Sequence, residues 1–269
     1  MLIAQMSDPH LLPEDIAVFG KLNTAAALER AVAHLNGLEL DAVLSTGDLT
    51  NDGDGPVYAR FARTVSALRA PLFVLTGNHD DREIMRATFA DLPAEGPLCY
   101  IVDRFAVRLV ALDTLVEGEP HGELGPDQLA WLDARLAEAP DRPTLVALHH
   151  PPFRTGIGHL DRSMLRDALD LALVIGRHRQ VERVACGHVH RPIQRRWAGT
   201  VVQTAPSSSH QAELAFGDAP ARWICEPPAV LLHYWQPEAG LVSHISMIGA
   251  YGPTGGFDEP STAEPQASR

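Results

Sequence analysis

The sequence predicts an α/β fold in which sheets and helices stack as a layered sandwich. Two features carry this expectation. Up to His190, short apolar runs alternate with amphipathic stretches, the pattern of strands joined by helices in a mainly parallel sheet. After His190 the alternation gives way to hairpin-like segments, which predict a second sheet.

Taken in order, LIAQM (2–6) is a strand and the amphipathic stretch at 23–35 a helix. AVLST (42–46) precedes a helix at 57–68, and LFVLT (72–76) one at 81–89. Strands are expected at 99–102 and 106–112. Gly125-Pro126 opens a helix over 127–136. TLVALHH (144–150) is a strand, 163–176 a broad helix, and VERVACGHVH (181–190) a strand running into a loop. RPIQRRWAGTVVQTA (191–205) reads as a hairpin turning at Ala198-Gly199. Pro206 and the serines 207–209 break the pattern, and 230–235 with 241–248 form a second hairpin. One catalytic domain is assigned to 1–252, with 207–228 as a cap or dimerisation loop. The stretch 253–269 is assigned as an extended or disordered tail, since it lacks the residues for a core of its own.

Composition narrows the function. No stretch approaches the roughly 20 apolar residues of a membrane span, so no membrane is expected as partner. The start, MLIAQMSDPH, lacks the basic residues and long apolar run of a signal peptide. Three widely spaced cysteines (Cys99, Cys186, Cys225) form no disulfide framework, and a cytoplasmic location is expected. The net charge of −12 disfavours a grip on a nucleic-acid polymer, which needs Lys and Arg. A small anion can still bind where a metal ion supplies positive charge. The 13 histidines are scattered, so no affinity tag explains them.

What ends each apolar run is the informative feature. LIAQM ends in Ser7-Asp8-Pro9-His10, AVLST in Gly47-Asp48, and LFVLT in Gly77-Asn78-His79-Asp80. TLVAL ends in His149-His150 and RVACG in His188-Val189-His190. Ligands of open α/β sheets bind at the carboxyl ends of strands. Asp8 and His10, and likewise His188 and His190, are two apart, so on an extended chain each pair can face one side. Glycines 47, 77 and 187 would let the backbone turn sharply. Each element alone reads as an ordinary turn or strand exit; five together, in this order, read as a ligand set. Oxygen and imidazole ligands without thiolate suit Mn2+, Fe2+, Zn2+ or Co2+. Seven ligands exceed the needs of one tetrahedral ion and suit two ions sharing a carboxylate.

The blocks D-x-H, G-D, G-N-H-D, H-H-P-P and G-H-V-H resemble those of the calcineurin-like metallophosphoesterases, over about residues 1–205. VSHISMIGAYGP and SSSHQ look further like the branch of bacterial class III cyclic-nucleotide phosphodiesterases and related glycerophosphodiesterases. The resemblance implies a four-layer α/β/β/α sandwich. It implies a first metal on Asp8, His10 and His190, a second on Asn78, His149 and His188, and Asp48 bridging both. His79 would contact the phosphate or the leaving group, with Asp48 and His79 as the catalytic pair. His149 aligns with the family's ligand, which leaves His150 a packing or supporting role. Gly47–Gly53 lacks the arginine with which related protein phosphatases grip a phosphomonoester, and Asn51 stands where purple acid phosphatases carry a tyrosine.

The implied reaction is hydrolysis of a small phosphodiester, 3′,5′-cyclic AMP first, by a hydroxide bridging the two metals, with a glycerophosphodiester or broader range as alternative. A diester carries one negative charge, so the missing arginine matters less. A non-catalytic scaffold on the same fold would have lost ligands, and all are present. A nuclease would need a basic cluster that the chain lacks. Asn78 and His79 within the motifs, and His210 beyond them, are candidates for substrate contact. Phe19 and the loop 11–22 are candidate pocket walls, and a homodimer or higher homo-oligomer is expected.

Overall fold

The computed structural model describes residues 1–14, 16–252 and Gly255; the tail expected over 253–269 lies, apart from Gly255, outside the described residues. Two sheets lie face to face. The first has strand order β13-β12-β1-β2-β3, with β1 (Leu2–Met6), β2 (Ala42–Ser45) and β3 (Leu72–Val74) parallel and β12 (Ala229–Gln236) and β13 (Gly240–Met247) paired antiparallel; β10 (Gln211–Ala212) and β11 (Trp223–Ile224) pair separately as a short ribbon. The second has order β4-β5-β6-β7-β9-β8, with β5 (Arg108–Ala111), β6 (Thr144–Ala147), β7 (Val181–Cys186) and β9 (Thr200–Thr204) parallel. β4 (Tyr100–Val102) and β8 (Ile193–Trp197) are antiparallel edges of that sheet.

Sequence chemistry sets the helices and their faces. α1 (Thr24–Asn36) is capped by Asn23, whose side chain accepts from the Ala26 N–H. α2 (Gly55–Val65) starts with Pro56, which costs a first-turn position no hydrogen bond. α3 (Arg82–Thr88) is capped by Asp81, which accepts from the Ile84 N–H. All three bury an aliphatic or aromatic stripe, including Leu28, Leu35, Phe61 and Met85, on Ala4, Val43 and Val74 of the first sheet. α4 (Gly125–Ala137) and α5 (Ala168–Ile175) cover Val110, Val146 and Val184 of the second. Ile3, Leu44, Leu109, Leu145 and Ala185 fill the space between the sheets. The strands are apolar on both faces because both faces are covered. This is the four-layer sandwich, and it places the carboxyl ends of β1, β2, β3, β6 and β7 on one rim.

Two expectations are corrected. The late hairpins do not make the second sheet by themselves: β8–β9 extends it, whereas β12 (Ala229–Gln236) and β13 (Gly240–Met247) join the first sheet beside β1. β5 to β7 supply the parallel centre that β8–β9 extends, and β1 to β3 the one that β12–β13 extends. The helix expected from residue 163 begins only at Ala168, after a 3-10 turn at Leu160–Arg162. Ser163 and Asp167 are engaged elsewhere. The Ser163 hydroxyl meets His188, and one Asp167 oxygen accepts from the Leu124 and Gly125 N–H groups where α4 begins. Among the described residues no helix is long and apolar enough to cross a membrane.

Candidate metal centre

The ends of β1, β2 and β7 turn sharply into the rim. Asp8, His10, Asp48, His188 and His190 all have positive φ, between 44° and 70°. Asp and His tolerate this left-handed region better than most side chains. The Asp8/His10 and His188/His190 pairs are therefore not on extended chain, as the spacing had suggested. They sit on left-handed kinks held by backbone bonds, Asp8 N–H to the Gly47 carbonyl at 3.2 Å and His10 N–H to that of Asp48 at 3.1 Å. The glycines also act differently from expectation. Of the three, Gly47 has a positive φ; at Gly77 and Gly187 the constraint is space, since a Cβ would collide with Asp48 Oδ1 at the first and Ser7 Oγ at the second.

The rim gathers two groups of ligand types. Asp8, His10, Asp48 and His190 bring ligand atoms within 4.8 Å of one another, and so do His149, His150 and His188. Asp48 joins the groups: its Oδ2 lies 3.4 Å from His10 Nε2 and 3.4 Å from His149 Nε2. Asn78 Oδ1 lies 3.0 Å from His188 Nδ1. Three imidazoles are oriented from behind. His149 Nδ1 donates to the Thr46 carbonyl (2.7 Å), His190 Nδ1 to that of His210 (3.0 Å), and His188 Nε2 meets Ser163 Oγ (2.9 Å). Such outer contacts fix tautomer and ring direction.

The electrostatics fit a cation. Burial raises the Asp8 carboxyl, but His190 beside it wins and holds it down to about 2. Burial likewise opposes ionisation of Asp48, and His149 with His10 holds it well below the usual range. Burial pushes His10 and His188 down to about 3, so both rings are neutral and carry a lone pair. Burial also lowers His149, but the Asp48 charge lifts it to about 9. The pair of carboxylates thus draws a proton onto a buried ring, a place a divalent ion would take. His149 Nε2 and His150 Nε2 are both buried without a hydrogen-bond partner, and His149 Nε2 faces Asp48 Oδ2, an arrangement that a metal ion would fit.

The family model for calcineurin-like phosphoesterases matches residues 1–192. The chain belongs to that family. Relatives include a probable glycerophosphodiester phosphodiesterase GpdQ of Arcobacter nitrofigilis, 36% identical over 93% of this chain and 94% of that protein. The 3′,5′-cyclic adenosine monophosphate phosphodiesterase CpdA of Escherichia coli K12 is 36% identical over 78% of this chain and 76% of its own length. In fold the chain is similar to a dimetal phosphatase from Danio rerio, with a TM-score of 0.62 at 15% identity over 92% of this chain and 99% of that one.

The phosphoesterase rim brings together every residue the sequence nominated. His79 stands exposed beside it, its ring 4.7 Å from that of His10 and its Nδ1 donating to the Asn51 carbonyl at 2.7 Å. The His210 ring is 4.7 Å from that of His190. A cavity of about 260 Å³ opens there, lined among others by Phe19, His188, His190, His210 and Trp223. Phe19 and Trp223 stack face to face at 4.7 Å, so the loop after β1 and the segment 207–228 meet beside this chain's own rim. A larger cavity of about 560 Å³, along β3 and β4, is lined by Phe73, Phe89 and Tyr100 and holds none of the clustered histidines.

Three positions escaped the sequence reading. Buried Asp80 accepts from the Leu49, Thr50 and Gly77 N–H groups and from the Tyr58 hydroxyl, so it knits the Asp48 loop to the Asn78 loop. Burial and the neighbouring Asp48 raise its carboxyl to about 6. Its place in the G-N-H-D block was a signal; Tyr58 and Ser163 carried none. His150 has Nδ1 2.7 Å from Thr114 Oγ1; its Nε2 is buried without a hydrogen-bond partner, and the residue is grouped with His149 and His188.

Proposed function

We propose that the chain hydrolyses small phosphodiesters, 3′,5′-cyclic AMP first among them, with two divalent ions of the Mn2+, Fe2+, Zn2+ or Co2+ type. Asp8, His10 and His190 would hold one ion, Asn78, His149 and His188 the other, and Asp48 both. The observation that carries this is the single Asp48 oxygen at 3.4 Å from one imidazole of each group. When bound, such ions neutralise phosphoryl charge and make water a nucleophile near neutral pH. This explains how a chain of net charge −12 accepts an anion.

The chain's own residues do the rest. With the Nδ1 proton donated to the Asn51 carbonyl, His79 in its imidazolium form carries a second proton on Nε2 at the rim, and from there it would donate a hydrogen bond or that proton to the departing alkoxide. Asn78 and His210 are assigned to substrate contact. The Phe19–Trp223 stack supplies a flat apolar wall suited to a purine and keeps bulk water off one side. Cytoplasmic location is part of this reading and rests on cysteine usage alone.

A glycerophosphodiester is the second reading. It is favoured because the Arcobacter relative matches 93% of this chain, against 78% for the Escherichia coli one. A panel of cyclic AMP, 2′,3′-cyclic AMP, glycerophosphoethanolamine and p-nitrophenyl phosphate under Mn2+ tests both. Fastest turnover of cyclic AMP is expected. Fastest turnover of glycerophosphoethanolamine selects the second reading, and cleavage of no diester rejects both.

A further inference from the structure

The cavity beside the rim is charged unlike the rest of the molecule. The chain carries 34 acidic residues and a net charge of −12. Among the described residues no carboxylate lines this cavity, and its one permanent cation is Arg222. A second cation stands close by: Lys21 Nζ lies 5.8 Å from the centre of the Trp223 ring. Lys21 is the only lysine in the sequence. The backbone ties both cations to the aromatic wall. Phe19 and Gly20 have positive φ, 55° and 66°, in a tight turn closed by the Lys21 N–H on the Val18 carbonyl at 3.0 Å. Such a conformation is costly for an aromatic residue, and costs of this kind collect at ligand sites. One turn thus brings Phe19 to the cavity and Lys21 to the face of Trp223. Opposite, Arg222 directly precedes Trp223, which pairs with Ala212 across the β10–β11 ribbon. The Arg222 side chain is exposed, with a long contact of 3.9 Å from Nε to Glu213 Oε2, a pair that contributes little in water.

The aromatic rings give the order of the parts. The His210 ring is 4.7 Å from that of His190, the Phe19 ring 5.6 Å from that of His210, and Trp223 stacks on Phe19 with Lys21 over it. An ester group leaving the rim passes His210, reaches the wall, and beyond the wall meets two cations. We propose that the site prefers diesters whose alcohol portion carries a further phosphate, with Arg222 and Lys21 as the specificity-determining residues that hold it. This rests on the diesterase reading above and narrows its substrate class to nucleosides phosphorylated at a second hydroxyl, as in the 5′-phosphorylated dinucleotide pApA. The scissile phosphate would lie at the rim, a base on the Phe19–Trp223 wall, and the terminal phosphate one nucleoside away. A guanidinium offers paired N–H groups to phosphate oxygens, and an ammonium adds a compact charge. A terminal phosphate carries a charge of about −1.5 to −2 near pH 7, so it gains from both cations where a neutral hydroxyl gains little. On a chain this acidic, a local positive patch is what lets a second phosphate approach.

Steady-state hydrolysis of ApA and pApA by the full chain under Mn2+ tests this, since the two differ only in the terminal phosphate. The expected kcat/KM is about tenfold higher for pApA, the order of two partly exposed charge pairs. The gain should lie in KM, because the contact is the same in the bound substrate and the transition state, and added salt should shrink it. Lys21→Gln and Arg222→Gln should each reduce the preference and the double variant abolish it, whereas Lys21→Arg should keep it. Taking the ratio within each variant removes any general loss of activity. Equal kcat/KM for ApA and pApA in the wild type overturns the proposal, as does a preference that survives in the double variant. So does cleavage of bis(p-nitrophenyl) phosphate with neither dinucleotide turned over, which leaves the diesterase reading intact. Cleavage of no diester at all rejects that reading and the proposal with it.

Discussion

The two halves of the rim are built alike but charged differently. Asp8, His10, Asp48 and His190 combine two carboxylates with two imidazoles. Asn78, His149 and His188 combine two imidazoles with an amide and depend on Asp48 for any negative charge. The more anionic half should hold a divalent ion more tightly, as ligand charge count sets affinity at oxygen-rich sites. Both halves also draw from both sheets, since Asp8, Asp48 and Asn78 follow strands of the first and His149, His188 and His190 strands of the second. An ion held in this way would fasten the two sheets at the rim, and the fold would gain stability by mass action.

The largest effect should come from the residue common to both halves. Asp48→Ala is expected to cost about 10³-fold in kcat, the upper range for losing one electrostatic contact to a transition state. Asp52 and Asp54, exposed in the same loop, should change it little when replaced. Equal losses at all three would contradict the assignment. Next, His149→Ala should bind one Mn2+ with near wild-type affinity, while Asp8→Ala loses the tighter ion; metal analysis after dialysis reads the difference. If both variants lose the same ion, the halves are not distinct.

Ser163→Ala gives a finer separation. His188 would lose the contact that turns Nε2 outward and leaves Nδ1 beside Asn78. Affinity at that half should fall by about 10- to 100-fold, with the other half unaffected. Calorimetric Mn2+ titration distinguishes this from a general loosening, which would weaken both phases.

The smallest effect concerns a buried imidazole that serves no ion. His233 is satisfied at both nitrogens, by Ser243 Oγ at 2.7 Å and Gln5 Oε1 at 3.0 Å, unlike His149 with its orphan Nε2. Burial, helped by Arg183, lowers it to about 3. Between that value and the unfolded value near 6.5 the unfolded chain binds the extra proton, so stability is complete above the window and lost as pH falls through it. The slope is at most about 1.4 kcal/mol per pH unit. His233→Gln should flatten the acid limb of a urea-unfolding stability profile; an unchanged slope would show that His233 is not held neutral.

Much of this was legible in the sequence because strand ends are chemically marked. An apolar run that stops at Asp, Asn or His announces both the strand and its rim. What could not be read was three-dimensional in origin. Which sheet the hairpin 229–247 joins depends on where β1 lies, and nothing local in AVLLHYWQ encodes that. Ser163 acts on His188 across 25 positions. Gly77 and Gly187 looked like turn residues, but the crowding that excludes a Cβ comes from Asp48 and Ser7 in other blocks. The left-handed kink at Asp8 is held by the Gly47 carbonyl, in another block.

The central claim is that Asp48 couples two ions. Electron paramagnetic resonance during Mn2+ titration tests it most directly. Uptake should reach about two ions per chain, and the saturated protein should give the broad spectrum of an exchange-coupled pair. Asp48→Asn should abolish the coupling at equal loading. A single ion at saturation, or two with the six-line signal of isolated Mn2+, would contradict the account.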